Sequence, residues 1–252
     1  EEKIKAEKEA MEAERLAEHH KTTDGLNTVV VTPTQIYNEF SSGKQDVSAI
    51  RNFMKMLYDR PAQAGDSIKY LLMFGDASYD YKNINKNNTN YVATYQSRNT
   101  YGPVSSYCSD DFFGQLDDDE GEWDENGSLS ETIDIGIGRI PVQSEAQAKQ
   151  MVDKIIAYTN PKSFGDWRNN VCFIADDEDQ NAHFDDGQIF SSIVESQDKV
   201  YNIDKIYLDA YKQISVGSGS RYPEVNAQIN RKMQKGALIL NYNGHGGELG
   251  LA

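Results

Sequence analysis

Short apolar runs alternate with amphipathic segments along most of this chain. Runs of strand type cover residues 69–74, 170–175 and 205–208, and a further apolar run begins at Gly236. Each run is too short to be an amphipathic helix of ordinary length. The repeated order of strand, helix and strand is the signature of a parallel sheet. The sequence therefore predicts an α/β fold, with mainly parallel sheets flanked by helices.

The helices between these strands carry recognisable start signals. Helices are predicted over residues 47–58, 144–158, 182–196 and 223–234. Asp46 can cap the first of them. Ser144 and Gln147 form a capping-box pair at the start of the second. Pro223 suits the first turn of the last helix.

Two β-rich stretches add to this pattern. Residues 28–32 are rich in β-branched side chains and are stopped by Pro33. Residues 132–140 alternate isoleucine with small or polar residues, and Pro141 follows. We expect a strand at each.

The organisation of the chain follows from changes in composition. Residues 1–24 are dense in charge, and their few large apolar residues form a stripe too thin to anchor a helix firmly, which predicts a charged helical linker. Residues 25–160 and 161–252 are predicted to be two subdomains. The segment 161–169, with Pro161 and Gly165, marks the boundary between them.

The overall charge excludes one class of partner. With 25 Lys and Arg against 40 Asp and Glu, the formal net charge is −15. Such a surface repels phosphates, so no nucleic-acid partner is expected. No apolar run approaches the ~18 residues of a membrane helix, so no membrane-spanning segment is expected. The chain begins at Glu1 without an initiator methionine and ends inside a motif, so we expect it to be a piece of a longer protein.

Two acidic loops raise the question of a cation. Asp76 and Asp80 follow the strand at 69–74, where either a bound cation or turn capping accounts for them, with capping favoured. Residues 110–120 concentrate carboxylates that are able to bind calcium, although their spacing does not match the EF-hand pattern. Structural calcium is therefore possible, while no cofactor is required.

The last stretch of the chain has the strongest chemical signal. His245 lies between Gly244 and the pair Gly246 and Gly247, directly after an apolar strand that we expect to be covered on both faces. Small neighbours let the backbone approach a ligand closely. Since α/β proteins bind ligands at the carboxyl ends of their strands, His245 is predicted to be a catalytic histidine; a turn histidine with no role is the alternative.

The two cysteines give weaker signals. Cys172 lies within the strand at 170–175 and is expected to be a buried, inert side chain. Cys108 lies in a polar loop and could be exposed. A disulfide between them is possible, but the sequence does not decide the pairing.

Several blocks of the chain resemble the gingipain family of cysteine peptidases, which belongs to the caspase-like group. In chain order they are YLLMFGDASYD (70–80), SDDFFG (109–114), DIGIGRIPV (134–142), VDKIIAY (152–158) and NYNGHGGE (241–248). The resemblance implies a caspase-like α/β fold of two subdomains, the second one truncated.

The resemblance also implies roles for particular residues. His245 matches the family's acid/base histidine, and the amide of Gly246 matches the position that helps to bind the oxyanion. The family's nucleophilic cysteine follows on the next strand, so neither Cys108 nor Cys172 matches it. A thiolate activated by a base and preorganised amide donors is what acyl transfer requires. The chain as given is therefore expected to be inactive.

One branch of the family is the most similar. The final block, together with DKIYLD (204–209) and RYP (221–223), resembles the peptidases of the type IX secretion system at the bacterial cell surface. That likeness implies a sortase-like transpeptidase, whose partners are secreted proteins with a C-terminal sorting domain and other components of the system. A non-catalytic binding module on the same fold is the alternative. A metal hydrolase is disfavoured because multi-histidine ligand spacing is missing.

Overall fold

A computed structural model describes residues 2–61, 67–85, 88–98, 102, 106–121, 132–217, 219–247 and 250–251. Much of the predicted polar loop at 82–130, and Glu248 of the histidine motif, lie outside these residues. The chain divides into two compact units, Glu1–Thr159 and Asn160–Ala252. Both combine helices with parallel strands, so the predicted α/β class is confirmed.

The first unit is built on a pair of parallel strands with helices on both faces. Its elements are α1 (Glu2–Thr23), α2 (Pro33–Phe40), α3 (Val47–Asp59), β1 (Tyr70–Phe74), β2 (Tyr95–Gln96), β3 (Cys108–Ser109), β4 (Gly136–Ile140) and α4 (Glu145–Thr159). Strand β1 pairs in parallel with β4, and β2 pairs antiparallel with β3. One apolar cluster joins α2, α3 and β1, while another joins α1, α4 and the end of β4.

The amino-terminal part of this unit differs from the sequence prediction in two places. Residues 25–32 form no strand; instead Thr32 and Gln35 make a capping box that starts α2, with Pro33 in the first turn. The capping interactions and the fixed φ of proline outweigh the β propensity of the valines. Helix α1, predicted to be a linker, packs against α4 through Leu16, which is 2% exposed. One buried leucine and the Arg15–Asp153 ion pair hold it there.

The second unit is a three-stranded parallel sheet with the helices on its two faces. Its elements are β5 (Asn170–Ala175), α5 (Ala182–Gln197), β6 (Asn202–Tyr207), β7 (Ile214–Val216), β8 (Gly219–Arg221), α6 (Pro223–Lys235), β9 (Ile239–Asn243), β10 (Gly246–Gly247) and β11 (Gly250–Leu251). The strand order is β6-β5-β9, while β7 with β8 and β10 with β11 form small antiparallel pairs.

Central strand β5 is buried on both faces. Cys172 and Ile174 belong to an apolar cluster that includes Val225 of α6. Val171 and Phe173, whose side chains alternate with these, belong to a second cluster that Phe184 of α5 packs against. The two-residue period of the strand thus divides its side chains between the two helices, as the unbroken apolar run predicts.

Strand β9 is less covered than the sequence predicts. Among the described strands it pairs only with β5. Ile239 is 52% exposed and Leu240 is 36% exposed. The expectation of burial on both faces is therefore wrong for the first half of β9, because an edge strand has a neighbour on one side only.

Candidate active site

The carboxyl ends of β5 and β9 bring two loops of the second unit together. Ala175 is in register with Asn243, and the amide of Asp176 donates a hydrogen bond to the Asn243 carbonyl oxygen at 2.9 Å. The acidic loop after β5 therefore lies beside the glycine-rich loop after β9. This is the edge of the sheet where His245 was predicted to lie.

His245 is paired with a carboxylate of the acidic loop. Its Nε2 lies 2.7 Å from Oδ2 of Asp179, and both side chains are 55% exposed. Because a carboxylate only accepts, Nε2 carries the proton, which leaves the lone pair of neutral His245 on Nδ1. The hydrogen bond and the charge of Asp179 raise the pKa of His245; desolvation opposes this rise, and the charges of Glu178 and Asp176 add to it. The pair can hold an imidazole in one orientation and stabilise its protonated form.

The turn that contains Asp179 has an unusual backbone conformation. Asp179, Gln180 and Asn181 all have left-handed φ angles, of 56°, 57° and 70°. L-residues other than glycine rarely adopt this region, and such conformations concentrate at functional sites. The turn ends at Ala182, where α5 begins, and it puts His183 next to the pair. The Nε2 atom of His183 lies 3.4 Å from Oδ2 of Asp179, and its ring meets that of His245 edge to face at 5.1 Å.

Glycine is required at one position beside His245. A Cβ on Gly244 would overlap the Tyr242 hydroxyl and lie 2.8 Å from Cβ of Asp176. That hydroxyl donates a 3.0 Å hydrogen bond to the carbonyl oxygen of His245, so it is not free to move away. A Cβ on Gly246, by contrast, would meet no atom of the described residues within 4 Å. Among the described residues none occupies the space beside Gly246, and its oxyanion role stays a prediction.

Neither cysteine has the environment of a nucleophile. Cys172 is fully buried on the α6 side of β5, and burial raises its pKa to about 11. Desolvation and the charge of Asp110 raise the pKa of Cys108. Both are free thiols, so the possible disulfide is not present. A catalytic cysteine needs a lowered pKa or an adjacent base, and these residues have neither among their described neighbours.

The carboxylates of the loop after β1, Asp76 and Asp80, accept hydrogen bonds from nearby residues. Asp80 accepts the amides of Ile84 and Asn85, which is the predicted capping role. Asp76 accepts hydrogen bonds from Thr89 and Gln143. The Asp76 and Asp80 carboxylates are thus engaged in hydrogen bonds with described residues.

One acidic group could still hold calcium. Carboxylate oxygens of Asp117, Glu120 and Asp134 lie within 4.8 Å of one another. Two of these carboxylates also accept backbone amides, Glu120 from Asp117 and Thr132, and Asp134 from Leu116. Structural calcium at this group stays a prediction.

The sequence predicts His245 as a site residue but does not predict its neighbours. The sequence patterns assign no role to Asp179 or His183. The available signal was the spacing of Asp179 and His183, four residues apart at the start of a predicted helix, in a loop on the same sheet edge as His245.

Comparison with known proteins defines the class. The sequence model of peptidase family C25, the gingipain family, matches residues 4–252. The chain therefore belongs to this family of cysteine peptidases. Among curated proteins no match is found.

A solved structure gives a more particular likeness. The chain is similar to PorU from Porphyromonas gingivalis, in the crystal structure of its dimeric latent form, with 33% sequence identity and a TM-score of 0.50. The match covers 63% of this chain and 15% of that one, so this chain corresponds to a small part of the length of PorU. None of the described helices is long and apolar enough to cross a membrane.

Proposed function

We propose that this chain carries the histidine half of the active site of a cysteine endopeptidase with sortase-like transpeptidase activity. In this proposal Nδ1 of His245 accepts the proton of a cysteine thiol, and the amide of Gly246 binds the oxyanion. Asp179 is a positioning residue that holds the His245 ring. The observation that carries the proposal is the Asp179–His245 pair on the carboxyl edge of the sheet, in a member of a cysteine peptidase family.

The nucleophile of this mechanism is neither Cys108 nor Cys172. Since one is fully buried and both have raised pKa values, we propose that the thiolate belongs to the strand that follows the histidine loop in the full-length protein. The attacking thiolate forms a thioester with the carbonyl carbon of the substrate, and His245 returns its proton to the leaving amine. Water or an acceptor amine then releases the acyl group.

The proposed substrates are secreted proteins of the type IX system, from which the enzyme removes the C-terminal sorting domain at the bacterial cell surface. The likeness to PorU and the blocks at 204–209 and 241–248 support this assignment. Other components of that system are the proposed partners.

The test compares two histidines of the full-length protein. His245→Ala is expected to lower cleavage of a sorting-domain substrate by at least about a hundredfold, the lower bound for a general base. His20→Ala is the matched control, because His20 also pairs with an aspartate, Asp24, at 2.6 Å on helix α1. Equal activity of both variants would remove His245 from the mechanism. Absence of cleavage by the unmodified protein would favour the alternative of a non-catalytic binding module.

A further inference from the structure

Three side chains of metal-ligand type converge beside the proposed base. The nitrogen and oxygen donors of Asp179, His183 and His245 all lie within 4.8 Å of one another. Two of the separations, both measured to Oδ2 of Asp179, are 2.7 Å from Nε2 of His245 and 3.4 Å from Nε2 of His183. The cluster therefore combines residues of the histidine loop, the strained turn and the first turn of α5.

The donor set selects among metal ions. Two imidazoles and one carboxylate are ligands that zinc accepts, and three protein ligands leave the fourth tetrahedral position open. With bonds of about 2.0–2.1 Å, the ligand atoms of a tetrahedral site are separated by roughly 3.4 Å. The 3.4 Å separation equals this value and the 2.7 Å separation is shorter, so binding of zinc requires His245 and Asp179 to move apart. Calcium and magnesium require mostly oxygen ligands, and this set does not supply them.

One member of the cluster, His183, has a ring nitrogen without a hydrogen bond to any described residue. The Nε2 atom of His183 is buried and makes no hydrogen bond with any described residue. The His183 side chain is only 18% exposed. Buried polar atoms normally have a partner, so an unpartnered imidazole nitrogen facing a carboxylate and a second imidazole indicates a missing ligand.

The surrounding charge favours a cation. Asp176 is buried, and its Oδ2 has no hydrogen-bond partner among the described residues. Asp177 and Glu178 follow in the same loop. A loop with one sign of charge raises the local concentration of oppositely charged ions.

We propose that Asp179, His183 and His245 form a reversible zinc site that silences the peptidase when it is filled. Zinc on Nε2 of His245 takes the place of the proton that Asp179 holds there. That ring proton moves to Nδ1, which loses the lone pair needed to accept the thiol proton. The silencing rests on the proposed function, whereas the binding of zinc does not.

The experiment is a metal titration of the full-length protein after treatment with a chelator. Co²⁺ added in place of Zn²⁺ is expected to give visible d–d bands that saturate at one equivalent, and Zn²⁺ is expected to abolish them. His183→Gln is expected to weaken binding by more than about 10–100-fold, the effect of losing only an outer-shell partner. His20→Gln, remote from the cluster along the chain and also adjacent to a carboxylate, is the control and is expected to titrate like the unmodified protein.

Each outcome decides one part of the proposal. If His183→Gln and the unmodified protein bind cobalt equally, the site is wrong. If His183→Gln does not fold, as judged by circular dichroism, Asp179→Asn takes its place with the same expected loss. If cleavage continues at saturating zinc, the proposed inhibition is wrong, while the zinc site itself stands. A protein without peptidase activity would contradict the proposed function, while the cobalt bands would still decide the metal site.

Discussion

The two units end their parallel strands in different ways. At the carboxyl edge of β1 and β4, Arg139 uses all five of its N–H donors: two bind Asp110, and the others bind the carbonyl oxygens of Gly75, Val92 and Ala93. At the carboxyl edge of β5 and β9, His245 is half exposed, and buried atoms of Asp176 and His183 have no hydrogen-bond partner among the described residues.

This difference separates a scaffold from a site. Both edges carry charged side chains, and both belong to parallel strands. Where every donor is paired, the polar residues contribute to stability, and where polar atoms stay unpaired next to a strained turn, they are available to a substrate or an ion. The composition of the loops does not reveal which edge is which, but their hydrogen bonds do.

Loss of Arg139 is expected to have the largest effect. Arg139→Met removes a side chain that is only 13% exposed and leaves the Asp110 carboxylate and three carbonyl oxygens without their partner. The expected loss is about 3–5 kcal/mol in the free energy of unfolding of the first unit, measured by urea denaturation.

A second arginine provides the control for this measurement. Arg15→Met removes an ion pair to Asp153 whose side chains are 37% and 47% exposed. The expected loss is below about 1 kcal/mol, since solvent screens such pairs. Similar losses for the two variants would contradict the scaffold role of Arg139.

The second effect concerns the positioning of His245. Asp179→Ala is expected to lower kcat by about a hundredfold, which corresponds to about 2.7 kcal/mol of activation free energy, with little change in KM. Asp179→Glu is expected to restore part of the rate, which a merely structural residue would not do. Asp185→Ala is the control, because Asp185 is an exposed carboxylate in the first turn of α5, the helix that follows Asp179. Equal kcat values for Asp179→Ala and Asp185→Ala would contradict the role of Asp179 in positioning His245.

The third effect tests the packing under the histidine loop. Gly244→Ala introduces a Cβ that overlaps Cβ of Asp176 and the Tyr242 hydroxyl, so a loss of about 1–3 kcal/mol in unfolding free energy is expected. Gly246→Ala is expected to change stability by less than about 0.5 kcal/mol, because its Cβ would contact none of the described residues within 4 Å. The midpoints of thermal unfolding of the two variants measure this difference in stability. Equal midpoints would show that the loop rearranges to accommodate the Cβ of Gly244→Ala.

The smallest effect is a pH dependence in the first unit. Burial opposes ionisation of Asp76, but hydrogen bonds from Thr89, Gln143 and the amide of Ala77, with the charge of Arg139, lower its pKa. As the pH falls below about 4, Asp76 is therefore protonated in the unfolded chain before it is protonated in the folded protein. The stabilisation is complete above that value and is lost as the pH falls through the lowered folded pKa. Asp76→Asn should therefore be less stable than the unmodified protein at pH 7 and approach it in acid, as urea denaturation would detect.

Most of the fold could be predicted from local patterns. Asp46 caps α3 as expected, with its carboxylate accepting the amide of Ser48 at 2.8 Å. The predicted strand at 170–175 is β5, and its alternating burial follows from an unbroken apolar run. The errors occur where two local rules compete, as at Thr32, where β propensity and capping point to different structures. Strand β4 begins only at Gly136, several residues after the predicted start at 132.

The candidate site was only half predictable, for a topological reason. His245 carries a local signal in its flanking glycines. Asp179 lies 66 residues away in sequence, and the two meet because β5 is the central strand between β6 and β9. Hydrophobic periodicity identifies strands but gives no order for them, so it cannot pair one loop with another.

The parallel register of β5 and β9 fixes the distance between the two loops at their carboxyl ends, and so the distance between His245 and Asp179. Each residue advances a parallel strand by about 3.3 Å, which is longer than the 2.7 Å contact between His245 and Asp179. A slip of one residue would carry the imidazole out of reach and turn Tyr242 to the opposite face. Substitutions at Val171 or Ile239, which are paired at the far end of this ladder, can therefore misalign the pair without touching it.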